Sequence, residues 1–340
     1  SMSKAAELAA LIGSQSSLAN RNMIINGNME VAQRATSKAV TESGTFVCDR
    51  WGVSLSSAGR FTMSQESITD LEGFGKATKL DCTTADTSIA SDELLLFYQR
   101  FEGQFLQRMQ KGFSSAKPVT LSFYVKGNAN ATYVAELIDS DNSNRHINKS
   151  FSVTTSWSRV SLTFPGDTTG KLTADNSASL YLHIWLHGGS NYTSGTLQTS
   201  WGSIVAANRA AGITSFFDST DREFFITGVQ MELGEVATPF EHETFGDNLQ
   251  RCQRYYEEGY IGFGANITHS THYQFHQHGF NTPKRTDDSY TMTLTVDNEY
   301  SITTFNTTYR RDFSGVGIVA YGAAGYNRYL VSFVCEDEIN

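Results

Sequence analysis

Between Leu180 and His187 the chain alternates aliphatic residues with rings. Leu180, Leu182, Ile184 and Leu186 fall on one face of an extended strand, and Tyr181, His183, Trp185 and His187 fall on the other. A row of aromatics and imidazoles suits sugar binding. The C–H face of a pyranose stacks on a ring, while Tyr or His polar atoms take its hydroxyls. Tyr192 and Trp201 in the adjoining stretch extend the expected carbohydrate platform. The same residue types also crowd covered faces and subunit contacts, so the competing reading buries the row beneath the loop that follows it.

Two further constellations carry chemistry. His269, His272, His276 and His278 lie close in sequence, and strand spacing puts the last three on one face. His276 and His278 from three copies meeting on an axis form a candidate transition-metal site; solvent-exposed histidines are the plainer reading. Near the C-terminus, Tyr309, Tyr321, Tyr326 and Arg328 surround a Gly322–Gly325 hairpin tip. Tyr and Arg are the residues of adaptable recognition surfaces, although hairpin and core tyrosines look the same in sequence. Beyond that structural metal, no cofactor is expected.

Catalytic motifs are absent. Asp139-Ser-Asp141 begins like a calcium loop but lacks the sixth-position Gly and the twelfth-position Glu. There is no G-x-S-x-G or H-E-x-x-H, and Gly315-Val-Gly317 lacks the third glycine of a phosphate cradle. Asp218, Asp221 and Glu223 are the best candidates for a glycoside-cleaving carboxylate pair, yet read more simply as solvated groups or calcium ligands. The chain is expected not to be an enzyme.

The elements that must hold these residues are mostly strands. Val119–Lys126 alternates Val119, Leu121, Phe123 and Val125 inward with polar residues outward. Thr45–Leu55, Glu93–Glu102, Ala131–Ile138, Ile147–Val153 and Ser158–Phe164 continue the pattern between turn signals. Short alternating strands without a βαβ rhythm predict an all-β antiparallel sandwich. Gly188–Asp221 is longer than an ordinary loop and for that reason is a candidate for function.

Phe224–Phe245 reads as a last strand, with Phe225, Val229, Met231 and Leu233 on one face, broken by Gly234 and closed by Pro239. Its strand is expected to close the sheet beside Met23–Ile25. The expected organisation is an N-terminal helical segment over 1–20, a large β domain over 21–243, a linker over 244–258 and a smaller β domain over 259–340. In the last of these, Tyr329–Cys335 reads as a strand buried on both sides.

With 340 residues, 39% hydrophobic, 18% charged and a net charge of −9, the chain can bury a sizeable core. It lacks the basic footprint of a nucleic-acid binder. No run of 18 apolar residues is present, so no membrane insertion is expected, and the first residues lack the regions of a signal peptide. Cys48, Cys82, Cys252 and Cys335 are widely spaced and read as buried thiols.

Five stretches, taken together, carry a family likeness. They are Asn20–Arg34, Asp49-Arg50-Trp51, Trp185–Trp201, Ile226–His242 and Cys252–Tyr256. In that order they resemble bacteriophage tail-fibre and receptor-binding proteins, especially those of tailed phages of marine and aquatic bacteria. The resemblance implies a carbohydrate-binding-module-like jelly roll followed by a C-terminal β-sandwich tip, assembled as a homotrimer on the virion. Its implied partners are a host cell-surface glycan and other virion proteins. The expected function is non-catalytic receptor binding. A purely structural virion part, such as a tail adaptor or capsid decoration protein, is the alternative, followed by a glycan depolymerase.

Overall fold

The computed structural model describes residues 20–267, 273–286, 290–299, 302–306, 311–312, 314–322 and 325–339. The N-terminal helix expected over 3–18 lies outside them. The chain divides into two compact units, Ser1–Glu243 and Thr244–Asn340.

The first unit is a jelly-roll β-sandwich. Its strands are β1 (Ser37–Val40), β2 (Thr45–Phe46), β3 (Gly52–Ser56), β4 (Arg60–Ser67), β5 (Lys76–Thr84), β6 (Leu94–Glu102), β7 (Val119–Gly127), β8 (Ala131–Asp139), β9 (Arg145–Val153), β10 (Ser158–Phe164), β11 (Ala178–Gly188) and β12 (Glu223–Leu233). They form two six-stranded antiparallel sheets, ordered β1-β4-β5-β12-β7-β10 and β2-β3-β6-β11-β8-β9. Alternating residues from both sheets meet in one core that includes Phe61, Leu80, Phe97, Phe123, Leu137, Leu182, Ile184 and Phe224. Burying apolar surface in this way is the main drive to fold.

Strand β12 differs from the alternation expected of it. Phe224 and Ile226 are fully buried, whereas Phe225 turns outward and is half-buried. The pairing of β12 with β7 shifts register between Thr227 and Gln230, and Gly228 there has φ +61°. This extra residue reverses the phase, so that Val229 and Met231 enter the core after the bulge. Only glycine fits: a Cβ on Gly228 would stand 2.7 Å from the Phe74 ring and 2.9 Å from Tyr124.

Strand β12 also lies between β5 and β7, inside the sheet, and Met23–Ile25 is not a strand. That segment is instead clasped by single bonds. Met23 N donates to Met231 O at 2.8 Å, and the Asn22 side-chain oxygen accepts from Met231 N at 3.0 Å. Nearby, Trp51 Nε1 donates to Asn26 O at 3.0 Å while its ring stacks on Phe97 at 4.8 Å. Glu232 accepts from Thr238 N, and Glu241 N donates to the Gln230 side chain.

The second unit begins with α1 (Phe245–Gln253), capped by Thr244 Oγ1, which accepts from Asp247 N at 3.2 Å. Strands β13 (Tyr256–Ile267), β15 (Thr291–Glu299) and β19 (Gly325–Glu336) form one sheet. Strands β14 (Tyr273–Gly279), β16 (Ile302–Asn306), β17 (Arg311–Asp312) and β18 (Gly315–Gly322) form another. Ile261, Tyr290, Phe333 and Cys335 make its described core. Leu330 is 38% exposed, so β19 is covered on one face there rather than on both.

Candidate functional site

Strand β11 points its ring-bearing face away from the sandwich core, as the alternation predicts up to Trp185, but that face is covered. The chain between β11 and β12 folds back over it, and Leu96, Val134, Trp185 and Ala210 form a second small core with Tyr192, Leu197 and Ile213. His183, Trp185 and His187 are all buried. The expectation of an exposed sugar platform over this row is therefore corrected, because the long loop roofs the sheet. Tyr181 remains half-buried at the margin, with Arg100 packed 5.1 Å over its ring.

Beneath the roof the polar centre is Glu136 of β8, which is fully buried. Arg209 Nε and Nη2 donate to its two oxygens at 2.9 and 2.8 Å, Trp185 Nε1 donates at 2.8 Å, and His146 Nδ1 meets it at 2.9 Å. His183 Nδ1 lies at 3.4 Å. Burial by itself would push this carboxyl up. Hydrogen bonds from His146, His183 and Arg209 outweigh it and hold the group well below the usual carboxylate range. Burial pushes the His183 imidazole down, against the pull of Glu136. Arg209 also lies 4.7 Å over the Trp185 ring, which packs 5.1 Å from Tyr192. These groups lock the roof to the sheet.

His187 leaves the row altogether. The pairing of β11 with β6 shifts register between Trp185 and His187, so Trp185 sits opposite Leu96 of the covered face and His187 opposite the core residue Leu95. The imidazole then packs 5.1 Å from the core ring of Phe217. Its Nε2 meets Glu93 Oε2 at 3.0 Å and its Nδ1 meets Ser215 Oγ at 2.8 Å. The order serine, histidine, carboxylate resembles an activated nucleophile. However, His187 is fully buried, and Ser215 Oγ is already engaged by Phe217 N, from which it accepts at 3.0 Å to cap a helical turn.

The accessible rings lie on the outer face of the other sheet. Register places Phe225 of β12 between Lys79 of β5 and Lys126 of β7, and Trp157 sits just before β10 beside them. Trp157 and Phe225 meet edge to face at 6.2 Å, both half-buried. The Lys126 ammonium stands 5.0 Å from the Phe225 ring and 5.1 Å from Trp157. Asp70 anchors the group, accepting from Lys126 Nζ at 2.6 Å and Trp157 Nε1 at 2.9 Å. The hydrogen bond from Lys126, followed by that from Trp157, holds the Asp70 carboxyl below its ordinary value.

Further along the same face, Tyr124, Phe74, Phe240 and the exposed His242 cluster around Gly228. Sequence pattern alone missed this belt because it grouped Phe225 on one face with Val229, Met231 and Leu233. The doublet Phe224-Phe225 was the available signal, since one of two adjacent strand residues must face out.

The remaining candidates are dispersed. Trp201 donates from Nε1 to Pro165 O at 2.8 Å and packs against the main core, away from Tyr192. Asp218 is paired with Arg222 and Glu223 with Lys79, the latter at 2.7 Å. In the second unit, the His278 ring packs 4.6 Å from Phe333. The side chains of His276, Tyr321, Tyr326 and Arg328, and Tyr309 as a whole, lie outside the described residues.

No known protein family and no curated protein sequence matches the chain. Among solved structures, a chain titled "CBM4 structure and function" is similar at 9% identity over 62% of this chain and 98% of its own, with a TM-score of 0.34. The xylan-binding domain CBM22-1 of Paenibacillus barcinonensis Xyn10C is similar at 11% identity over 64% and 96%, with a TM-score of 0.30. The enzymatically active domain of bacteriophage CBA120 tailspike protein 4 is similar at 13% identity over 63% of this chain and 21% of its own, with a TM-score of 0.32. These are distant likenesses.

Proposed function

We propose that the chain is a non-catalytic glycan-recognition protein of the phage tail-fibre type, carried on the virion as a homotrimer and directed at a bacterial surface glycan. The observation that carries this reading is the belt of Trp157 and Phe225 on the outer face of the first sheet, with Lys79, Lys126 and Asp70 around it. Half-exposed rings fixed to a rigid sheet offer stacking surfaces for pyranose rings, and the flanking ammonium and carboxylate groups suit hydroxyls. The virion setting rests on the resemblance of the five sequence stretches to tail-fibre proteins. Weak single-site binding multiplied over three copies would supply avidity.

Binding of the full chain to an array of bacterial surface glycans tests the function. Phe225→Ala and Trp157→Ala are expected to abolish retention on the glycans that wild type binds, while reducing ends are not released. Retention unchanged in both variants would remove the belt from the proposal. Release of reducing sugar would replace it with the depolymerase reading. The mass of the chain in solution tests the trimer separately.

A further inference from the structure

We propose that Asp86, Glu93 and His187 bind a divalent transition-metal ion, with Zn2+ the best-fitting candidate, that fastens the β5–β6 connection to the end of β11. One ligand atom from each residue lies within 4.8 Å of the others. Bound to a single zinc they would stand roughly 3.4 Å apart, so a small inward movement of side chains closes the site. Asp86 is 6% exposed, Glu93 9% and His187 0%.

The surroundings point to a cation rather than to an ordinary buried network. Two carboxylates lie side by side out of water, and among the described residues neither has a lysine or arginine within ion-pair distance; His187 is the nearest basic group to Glu93. Asp86 accepts from Ser57 Oγ at 2.8 Å, Ala58 N at 3.1 Å and Ser88 N at 3.2 Å, and its carboxyl is within hydrogen-bond reach of that of Glu93. Two carboxylates this close repel each other unless a cation lies between them.

The histidine is arranged as a ligand. Its Nε2 faces the carboxylates, while Nδ1 is held by Ser215 Oγ at 2.8 Å. A hydrogen bond on the far nitrogen fixes ring orientation in metal-binding histidines. The imidazole also selects the ion, since calcium and magnesium take oxygen ligands and zinc takes mixed nitrogen and oxygen. The β-bulge that rotates His187 off the ring row is what delivers it here. Above the cluster, Ser88, Ile89, Ala90, Ser91 and Asp92 are exposed, so the ion would enter under a short surface segment.

The test uses the full chain, stripped with a chelator and titrated with Co2+ and then Zn2+. We expect one Co2+ per chain to develop visible d–d absorption that Zn2+ displaces, together with a rise in Tm on adding Zn2+. Asp86→Asn and Glu93→Gln keep side-chain shape, and each is expected to lower Zn2+ affinity at least 100-fold. Ser215→Ala is expected to lower it roughly 10- to 100-fold by releasing the ring. Absence of Co2+ absorption in wild type, or wild-type Zn2+ affinity in both Asp86→Asn and Glu93→Gln, overturns the proposal. Zn2+ held by histidines elsewhere would survive these substitutions and so counts as the second of those results.

Discussion

Arg209 reaches down from the long loop and grips Glu136 of the sheet with two nitrogens, Nε to Oε1 at 2.9 Å and Nη2 to Oε2 at 2.8 Å. Paired donors in this fork geometry are among the stronger hydrogen bonds a protein makes. Here they hold the long loop, whose only regular structure is short helical turns, over a sheet face that would otherwise expose Trp185. Removing one partner of a buried pair strands the other charge, which typically costs 3–5 kcal/mol. Arg209→Ala is therefore expected to destabilise the sandwich by about 3 kcal/mol or more in urea denaturation, and to expose Trp185 to fluorescence quenchers. A loss below about 1 kcal/mol would mean that the loop is held mainly by the contacts of Tyr192, Leu197 and Ile213.

The same cluster predicts how stability depends on pH. Glu136 titrates below its ordinary value of 4.5 when folded, so the stability it contributes is complete above that pH and drains away as pH falls further. His183 is lowered from 6.5 by burial; below pH 6.5 the unfolded chain takes up a proton that the folded one resists. Both effects make the unfolded state bind more protons, and so both lower stability as pH falls. Urea midpoints measured in chelator between pH 8 and 4 are expected to hold level down to about pH 6.5, the reference value of His183, and to decline below it. In His183→Gln the decline between pH 6.5 and 5 should flatten; an unchanged slope would assign it elsewhere.

At the β12 bulge, Gly228→Ala tests whether the phase reversal depends on one residue. A non-glycine residue at φ +61° costs roughly 1–2 kcal/mol, and its Cβ would press on the Phe74 ring at 2.7 Å. The expected loss is about 2–3 kcal/mol. Spectral changes in Tyr124 and Phe225, on the same outer face, should accompany it. A neutral substitution would show that the register shift is imposed by the neighbouring strands instead.

These two bulges mark where the sequence ceased to be legible. Strands whose period of two ran unbroken, such as β7 and β10, could be placed from the pattern nearly to the residue. In β11 and β12 one inserted residue reverses every side chain beyond it, and nothing in composition announces the insertion. His187 therefore left the predicted row, and Phe225 parted from Val229 and Met231, with which the alternation groups it on one face. The alternation also gave the outward face of Trp185 correctly, but could not show that residues far along the chain return to cover it. Strands β4 and β5 were missed because Arg60–Ser67 and Lys76–Thr84 mix polar with apolar residues at many positions, diluting the signal. Asp86 and Glu93 meet His187 only through tertiary packing, with 94 residues separating the last two.

The second unit offers an independent test of how buried charge is handled. Lys284 Nζ lies 2.5 Å from Glu257 Oε2 with both side chains essentially inaccessible, and it also donates to Gln253 O at 2.5 Å. Asn281 supplies Glu257 Oε1 with a further hydrogen bond at 2.9 Å. The lysine thus joins the end of α1 to β13, and the carboxylate is fully engaged only while the lysine is present. Lys284→Met keeps the aliphatic stem near Phe280, whose ring the ammonium overlies at 4.6 Å, but leaves Glu257 unpaired. The expected cost is about 3–5 kcal/mol. Replacing both residues, Lys284→Met with Glu257→Gln, removes the stranded charge and should recover much of that loss. A double-mutant cycle on the isolated unfolding transition of this unit separates the outcomes. If the double variant is as unstable as Lys284→Met alone, the lysine acts through its bond to Gln253 O at the helix end rather than through the ion pair.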